Sequence, residues 1–205
     1  MIFPNEIATY VIIVFLVASL PMESSAQAND SSGIATRLFM PALQMGYINH
    51  KSDVISGGLV IQTSLEYRAK SNLLVRLNYD DFSGRITIND ANDNKYVAKI
   101  PLSEFMGGIG YRLSVKKHNL FGLVQSGIRF YELPEIEEQN GIITINQSGE
   151  RIVPVKYTVG YEYEIMENIF LNLELFTGHF VKKKDYWSND QLYLGIMAGL
   201  STTLF

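Results

Sequence analysis

The chain has 205 residues, enough for one domain with a sizeable core. It is 47% hydrophobic and carries 12 Tyr, 11 Phe and 16 Gly, a composition that favours strands and tight turns over helices. Its 17 basic and 21 acidic residues give no case for a nucleic-acid partner, and the absence of Cys excludes disulfides and thiolate metal sites.

At the N-terminus, residues 11–20 (VIIVFLVASL) form an apolar run too short to span a bilayer as a helix. Pro21 ends the run, and Ala26-Gln27-Ala28 matches an A-x-A cleavage site. These features predict a signal peptide over 1–28, cut after Ala28, and a mature domain over 29–205. The usual basic residue ahead of the apolar run is missing, and only Glu6 is charged there. Cleavage deletes Glu6 and Glu23 and no base, which leaves the mature chain close to neutral.

Further on, apolar residues recur with a period of two. The pattern predicts strands at about 37–48, 58–68, 72–80, 104–115, 120–131, 154–165, 169–178 and 191–204. Between them, long connections (49–57, 81–103, 132–153 and 179–190) alternate strictly with short ones (69–71, 116–119 and 166–168). Uniformly tight turns at one end, long loops at the other and an even strand number describe an outer-membrane barrel. A soluble meander has no reason to keep one end tight.

The two faces then separate. In strands 2 to 7 one set reads Leu59, Ile61, Thr63, Leu65, Tyr67; Leu73, Val75, Leu77, Tyr79; Phe105, Gly107, Ile109, Tyr111, Leu113, Val115; and so on through Val155–Ile165 and Ile169–Leu175, with no charge in it. A lipid-facing charge at the midplane costs ~2–4 kcal/mol, so this is the set expected to meet lipid. The other set holds Glu66, Arg68, Arg76, Asp80, Arg112, Arg129, Lys156, Glu162, Glu164 and Glu174. Glu66, Arg68, Arg112, Glu162 and Glu164 fall toward the short turns, Arg76 and Glu174 near the middle, and Asp80, Arg129 and Lys156 toward the long loops. Opposite charges share each level, as a closed interior demands. The apolar face also places Tyr67, Tyr111, Tyr161 and Tyr163 near the short turns and Tyr47, Tyr79, Phe105 and Phe130 near the long loops, like two interfacial girdles.

The last strand ends on Phe205. A terminal Phe matches the assembly signal of bacterial outer-membrane barrels, read by the barrel-assembly machinery, and would turn Met197, Ser201 and Thr203 toward lipid. Hydrophobicity instead favours Leu192, Leu194, Ile196, Ala198, Leu200 and Leu204 there, so the register of this strand stays open. Strand 1 is open too, because Pro41 must avoid a needed ladder donor. Together the pattern and Phe205 resemble the small OmpA/OmpX-like outer-membrane proteins. The resemblance implies an all-β, eight-stranded antiparallel up-and-down transmembrane β-barrel, without a periplasmic domain, in the outer membrane of a Gram-negative bacterium.

Such a barrel has room for side chains but not for a wide channel, which moves function to the loops. Residues 85–100 read as a hairpin extending strands 3 and 4. Residues 141–155 read as a second hairpin turning at 146–149 and extending strands 5 and 6. The resemblance implies a protruding sheet whose edge adds a strand from an extracellular protein partner. Lys182, Lys183, Lys184 and Trp187 form a basic cluster beside aromatics, suited to lipopolysaccharide phosphates. Asp90, Asn92 and Asn94 echo a calcium loop, but Lys95 and Pro101 occupy its Gly and Glu positions, so neither metal nor cofactor is expected. A lipid A-modifying enzyme is the rival class. His50, Asp81 and Ser83 lie on the long-loop side but match no local motif, and His179 is not followed by the deacylase Ser. A soluble lipocalin-like ligand-binding barrel also explains alternation, but not the loop lengths or Phe205. The expectation is a structural or surface-interaction barrel rather than an enzyme.

Overall fold

The computed structural model describes residues 39–50, 55–68, 72–89, 95–139, 142–181 and 192–203. Ten strands form one sheet: β1 (Phe39–His50), β2 (Ile55–Ser56), β3 (Gly58–Arg68), β4 (Leu73–Asn89), β5 (Lys95–Val115), β6 (His118–Gln139), β7 (Ile142–Ile152), β8 (Pro154–Met166), β9 (Ile169–Phe180) and β10 (Tyr193–Thr202). Eight of them close a ring in the order β1, β3, β4, β5, β6, β8, β9, β10, with β10 returning to β1, and every pairing is antiparallel. Ring closure pairs both edges of every wall strand, which hydrocarbon surroundings require. β2 is a two-residue addition on β4, and β7 runs down from a hairpin with β6, breaks at Val153 and continues as β8.

The tight ends carry the φ > 0 residues of the wall, Asn72, Lys116 and Asn168. Short hairpin loops need φ > 0 to match the strand twist. Asn tolerates that conformation better than most side chains; Lys116 adopts it at greater steric cost.

Alternation is kept along the wall. β9 shows it almost without fault: Leu171, Leu173 and Leu175 are exposed, while Phe170, Asn172, Glu174 and Phe176 are buried. The open registers resolve in favour of hydrophobicity. On β10, Leu194, Ile196, Ala198 and Leu200 point outward, and Tyr193, Met197 and Ser201 are buried inside. Phe205 lies outside the described residues, so the strand is set by its apolar face. On β1, Leu43, Met45 and Tyr47 face out and Gln44 and Ile48 face in. Pro41 pairs with Leu65 of β3 and lies one residue past the β1–β10 ladder, which begins at Ala42–Ser201.

The first hairpin is as expected, with Asn89 registered on Lys95. The second departs from expectation. Residues 146–149 form no turn but lie within straight β7, where Asn146 pairs with Glu135 and Gly149 with Glu132. Its arms are the upper part of β6 and β7, and Gln139 pairs with Ile142 across Asn140-Gly141, the dipeptide suited to a two-residue turn. Pro134, which argues against a strand, is accepted because among the described residues this part of β6 has a ladder with β7 alone, as at a sheet edge.

Size limits the bore. A Cβ on Gly160 would lie 2.0 Å from the ring of Phe121, its register partner, and one on Gly195 would lie 2.0 Å from the ring of Phe176, also its partner. Each inward ring fits because the residue beside it on the neighbouring strand lacks a side chain.

Candidate functional site: a layered bore beneath two protruding hairpins

From the tight-turn end upward, the bore is built in electrically neutral layers. Glu66 of β3 and Glu162 of β8 receive Arg68 and Arg112: Arg68 Nε donates to Glu66 at 2.8 Å, Arg68 Nη2 to Glu162 at 2.9 Å, and Arg112 pairs with both carboxylates. Arg76 of β4 links this cluster to the middle, donating to Glu66 at 2.9 Å and to Glu174 of β9 at 2.6 Å. Gln44 adds a 2.8 Å bond to the same Glu174 oxygen. Three guanidinium groups thus meet three carboxylates. The Phe121 ring lies 4.8 Å from Arg76 Cζ and 5.3 Å from Arg112 Cζ, adding cation–π attraction.

Higher up, Lys156 Nζ donates to Asp80 at 2.5 Å, and Gln62 and Asn78 donate to its other oxygen at 2.7 and 2.6 Å. Gln125 in turn donates to Asn78. Arg129, fully buried, pairs with Glu104, its direct register partner. Its Cζ sits 4.7, 4.6 and 4.8 Å from the rings of Phe82, Phe180 and Tyr193. Arg129 Nη1 has no hydrogen-bond acceptor among the described residues, and these ring faces offset its charge.

Nine of the ten charges expected inside are therefore in ion pairs. Glu164 is the exception. It sits at the register shift between Glu164 and Met166, is partly exposed, and forms no ion pair among the described residues. Its place in the balance belongs to Glu104, which is 2% exposed. The signal for Glu104 was present: alternation from outward Phe105 turns it inward, opposite Arg129. Lys182, Lys183, Lys184, Trp187, Phe205 and the 90–94 segment lie outside the described residues.

Above the charged layers the bore becomes apolar. Ile48, Ile55, Val60, Ile100, Leu102, Tyr131 and Ile152 cluster there with Phe82, Phe176, Tyr193 and Met197. His50 joins them from β1, buried, with its ring 6.1 Å from Phe82 and 5.8 Å from Tyr193. Asp81 faces outward on the other side of the wall. His50 and Asp81 are thus not brought together, and no His–Asp–Ser arrangement forms from His50, Asp81 and Ser83.

Beyond this seal two hairpins rise. β5 and β6 stop pairing at Leu102–Tyr131. β4 and β5 continue together from Ser83–Pro101 to Asn89–Lys95, and β6 and β7 from Glu132–Gly149 to Gln139–Ile142. Among the described residues, no ladder joins β5 to β6 over these stretches.

A closed eight-stranded wall, apolar outside and charge-paired inside, defines a small β-barrel of the membrane-spanning kind. No family model matches the chain, and no curated protein matches it. Among solved structures it is similar to Neisserial surface protein A, at 11% identity and a TM-score of 0.58 over 80% of this chain and 96% of that one. It is also similar to the outer membrane protein OprG from Pseudomonas aeruginosa, at 9% identity and a TM-score of 0.57 over 80% and 94%. The fold is that of the small eight-stranded outer-membrane β-barrels.

Proposed function

We propose that this protein is an outer-membrane barrel of a Gram-negative bacterium that holds two surface hairpins for contact with an extracellular partner. Export directed by residues 1–28 and assembly through the C-terminal strand belong to the same reading. The continuation of β4–β5 and β6–β7 past the last β5–β6 pair carries it. Unpaired strand edges can accept a partner strand, and a wall whose interior is filled leaves the hairpins as the accessible part. The outward leucines, valines and tyrosines supply the lipid-facing band. The proposed role is non-catalytic: apart from Glu164, the charged groups of the bore are held in ion pairs with one another.

Two measurements test this. Protease added to intact expressing cells should cut within 85–98 or 135–150 and leave a membrane-embedded, heat-modifiable core; cutting at Lys116-Lys117 instead reverses the orientation. Cells displaying the protein should adhere to a host-cell layer more than cells displaying a version with 85–98 replaced by a short turn. Equal adherence, with both proteins folded, removes the interaction role and leaves the barrel.

A further inference from the structure

Leu102–Tyr131 is the last pair of the β5–β6 ladder, although both strands run on beyond it. The sequence beyond it suits a sheet. Extending the register sets Val97 across from Ile136 and Lys95 across from Glu138, an apolar pair and a pair of opposite charge. What lies between is proline. The rungs that follow Leu102–Tyr131 in the same register include Pro101–Glu132 and Lys99–Pro134.

The direction of each proline nitrogen follows from the backbone bonds. Along an antiparallel strand, the N–H and C=O of one residue serve one neighbouring strand and those of the next residue serve the other. Arg112 N donates to Asn72 O at 2.9 Å, so even-numbered residues of β5 serve β4 and odd-numbered ones serve β6. Glu164 N donates to Lys117 O at 2.9 Å, so odd-numbered residues of β6 serve β7 and β8 and even-numbered ones serve β5. The registers concerned run without a shift. Pro101 therefore turns its nitrogen toward β6, and Pro134 turns its nitrogen toward β5. Neither disturbs its own hairpin, where Pro101 stays in register with Ser83 and Pro134 with Gln147. Across the split, however, two successive hydrogen-bonding rungs each lack one donor, one missing from either strand.

A third proline shows what one missing donor does. The same Glu164 bond turns the nitrogen of Pro154 toward β6. The ladder along β6 is interrupted there, between Arg129–Ile152 and Ser126–Val155, and resumes in the same register. One proline interrupts a ladder, whereas the opposed pair ends it.

We infer that Pro101 and Pro134 form a paired stop that holds the two hairpins apart, beneath strand segments matched to zip into a single four-stranded extension. The device has two arrangements, split and zipped, and the prolines select the split one. Zipping covers the backbone groups that a partner strand takes in the reading above; the stop itself rests on the ladders alone.

The test uses the full mature chain refolded in detergent micelles, with Pro101→Thr and Pro134→Thr made singly and together, and amide hydrogen exchange read by NMR. In the wild type the amides of Ala98 and Leu133, which serve β4 and β7, should exchange slowly, and those of Val97, Lys99 and Ile136 should exchange fast. The double variant should slow Val97, Lys99 and Ile136 at least about ten-fold, as restored backbone bonds imply, and leave Ala98 and Leu133 unchanged. Each single variant should do less. The chain has no Cys, which allows a second readout. Ala98→Cys with Glu135→Cys, a close pair in the extended register, should cross-link faster once both prolines are replaced. Ala98→Cys with Ile136→Cys, one residue out of register, should not. Heat-modifiable migration confirms that each variant is folded. Unchanged exchange in the double variant, or slow exchange at Val97 and Ile136 already in the wild type, overturns the stop. Equal cross-linking in and out of register overturns the zipped arrangement. Purified protein in micelles has neither membrane orientation nor partner, so failure here is distinct from failure of the cell-surface reading.

Discussion

Between the tight turns and mid-wall, the bore is filled by Arg68, Arg76, Arg112, Glu66, Glu162 and Glu174, linked into one network. Toward the hairpins it is filled by Val60, Phe82, Ile100, Leu102, Tyr131 and Ile152, which pack as part of one apolar cluster. Both fillings are buried, but they fail differently. An ion network tolerates no single deletion, because the orphaned partner stays buried. An apolar cluster loses only the contacts of the deleted atoms plus the cavity left behind. The charged half therefore specifies which strands meet, since Arg76 reaches both β3 and β9 across the bore, while the apolar half closes the mouth.

The sharpest way to break this comparison is Glu174→Ala. It leaves Arg76 with Glu66 alone and Gln44 without its acceptor, and should cost ~3–5 kcal/mol in urea unfolding from lipid vesicles. Adding Arg76→Met should recover part of the loss. A cost below about 1 kcal/mol would place the network with solvated surface pairs. Leu102→Ala in the apolar half should cost ~2–5 kcal/mol, and no second substitution of a polar partner should restore it. Gly160→Ala should cost ~1–3 kcal/mol by pressing on the Phe121 ring, and Phe121→Leu should relieve it if the ring contact is the cause. The smallest expected effect is none: wild type and Leu102→Ala should both show no steady conductance in planar bilayers, because the ion layers still fill the bore below the mouth. A stable, size-defined conductance in Leu102→Ala would make the apolar cluster the sole barrier.

The charged half was legible in the sequence and the apolar half only in part, for a physical reason. Within the membrane, lipid enforces strict alternation, so Glu66, Arg76, Glu162 and Glu174 stand out as charges opposite an uncharged face. Four of the inward residues at the mouth come from 81–103 and 132–153, where both faces are mixed because lipid no longer filters one of them. Phe82, Ile100, Leu102 and Ile152 therefore read as loop. Glu104 sits at the margin of that region, where alternation is weakest, while its register partner Arg129 lies within a regular strand. The misplaced turn at 146–149 has the same origin: without a lipid-facing series to fix phase, Gly149 suggested a turn where the chain runs straight. Pairing between β4 and β5 also continues without a visible boundary from wall to hairpin.

Separation of the two hairpins above Leu102–Tyr131 has a consequence for how this molecule can change. Neither arm of one hairpin is a ladder neighbour of the other, so residues inserted at 90–94 load β4 and β5 while leaving β6 and β7 untouched. Loop-closure cost grows only slowly with length, by about 0.6 kcal/mol per doubling. Each tip is thus an independent port: a foreign segment could be grafted into one while the other tip and the wall beneath keep their shape.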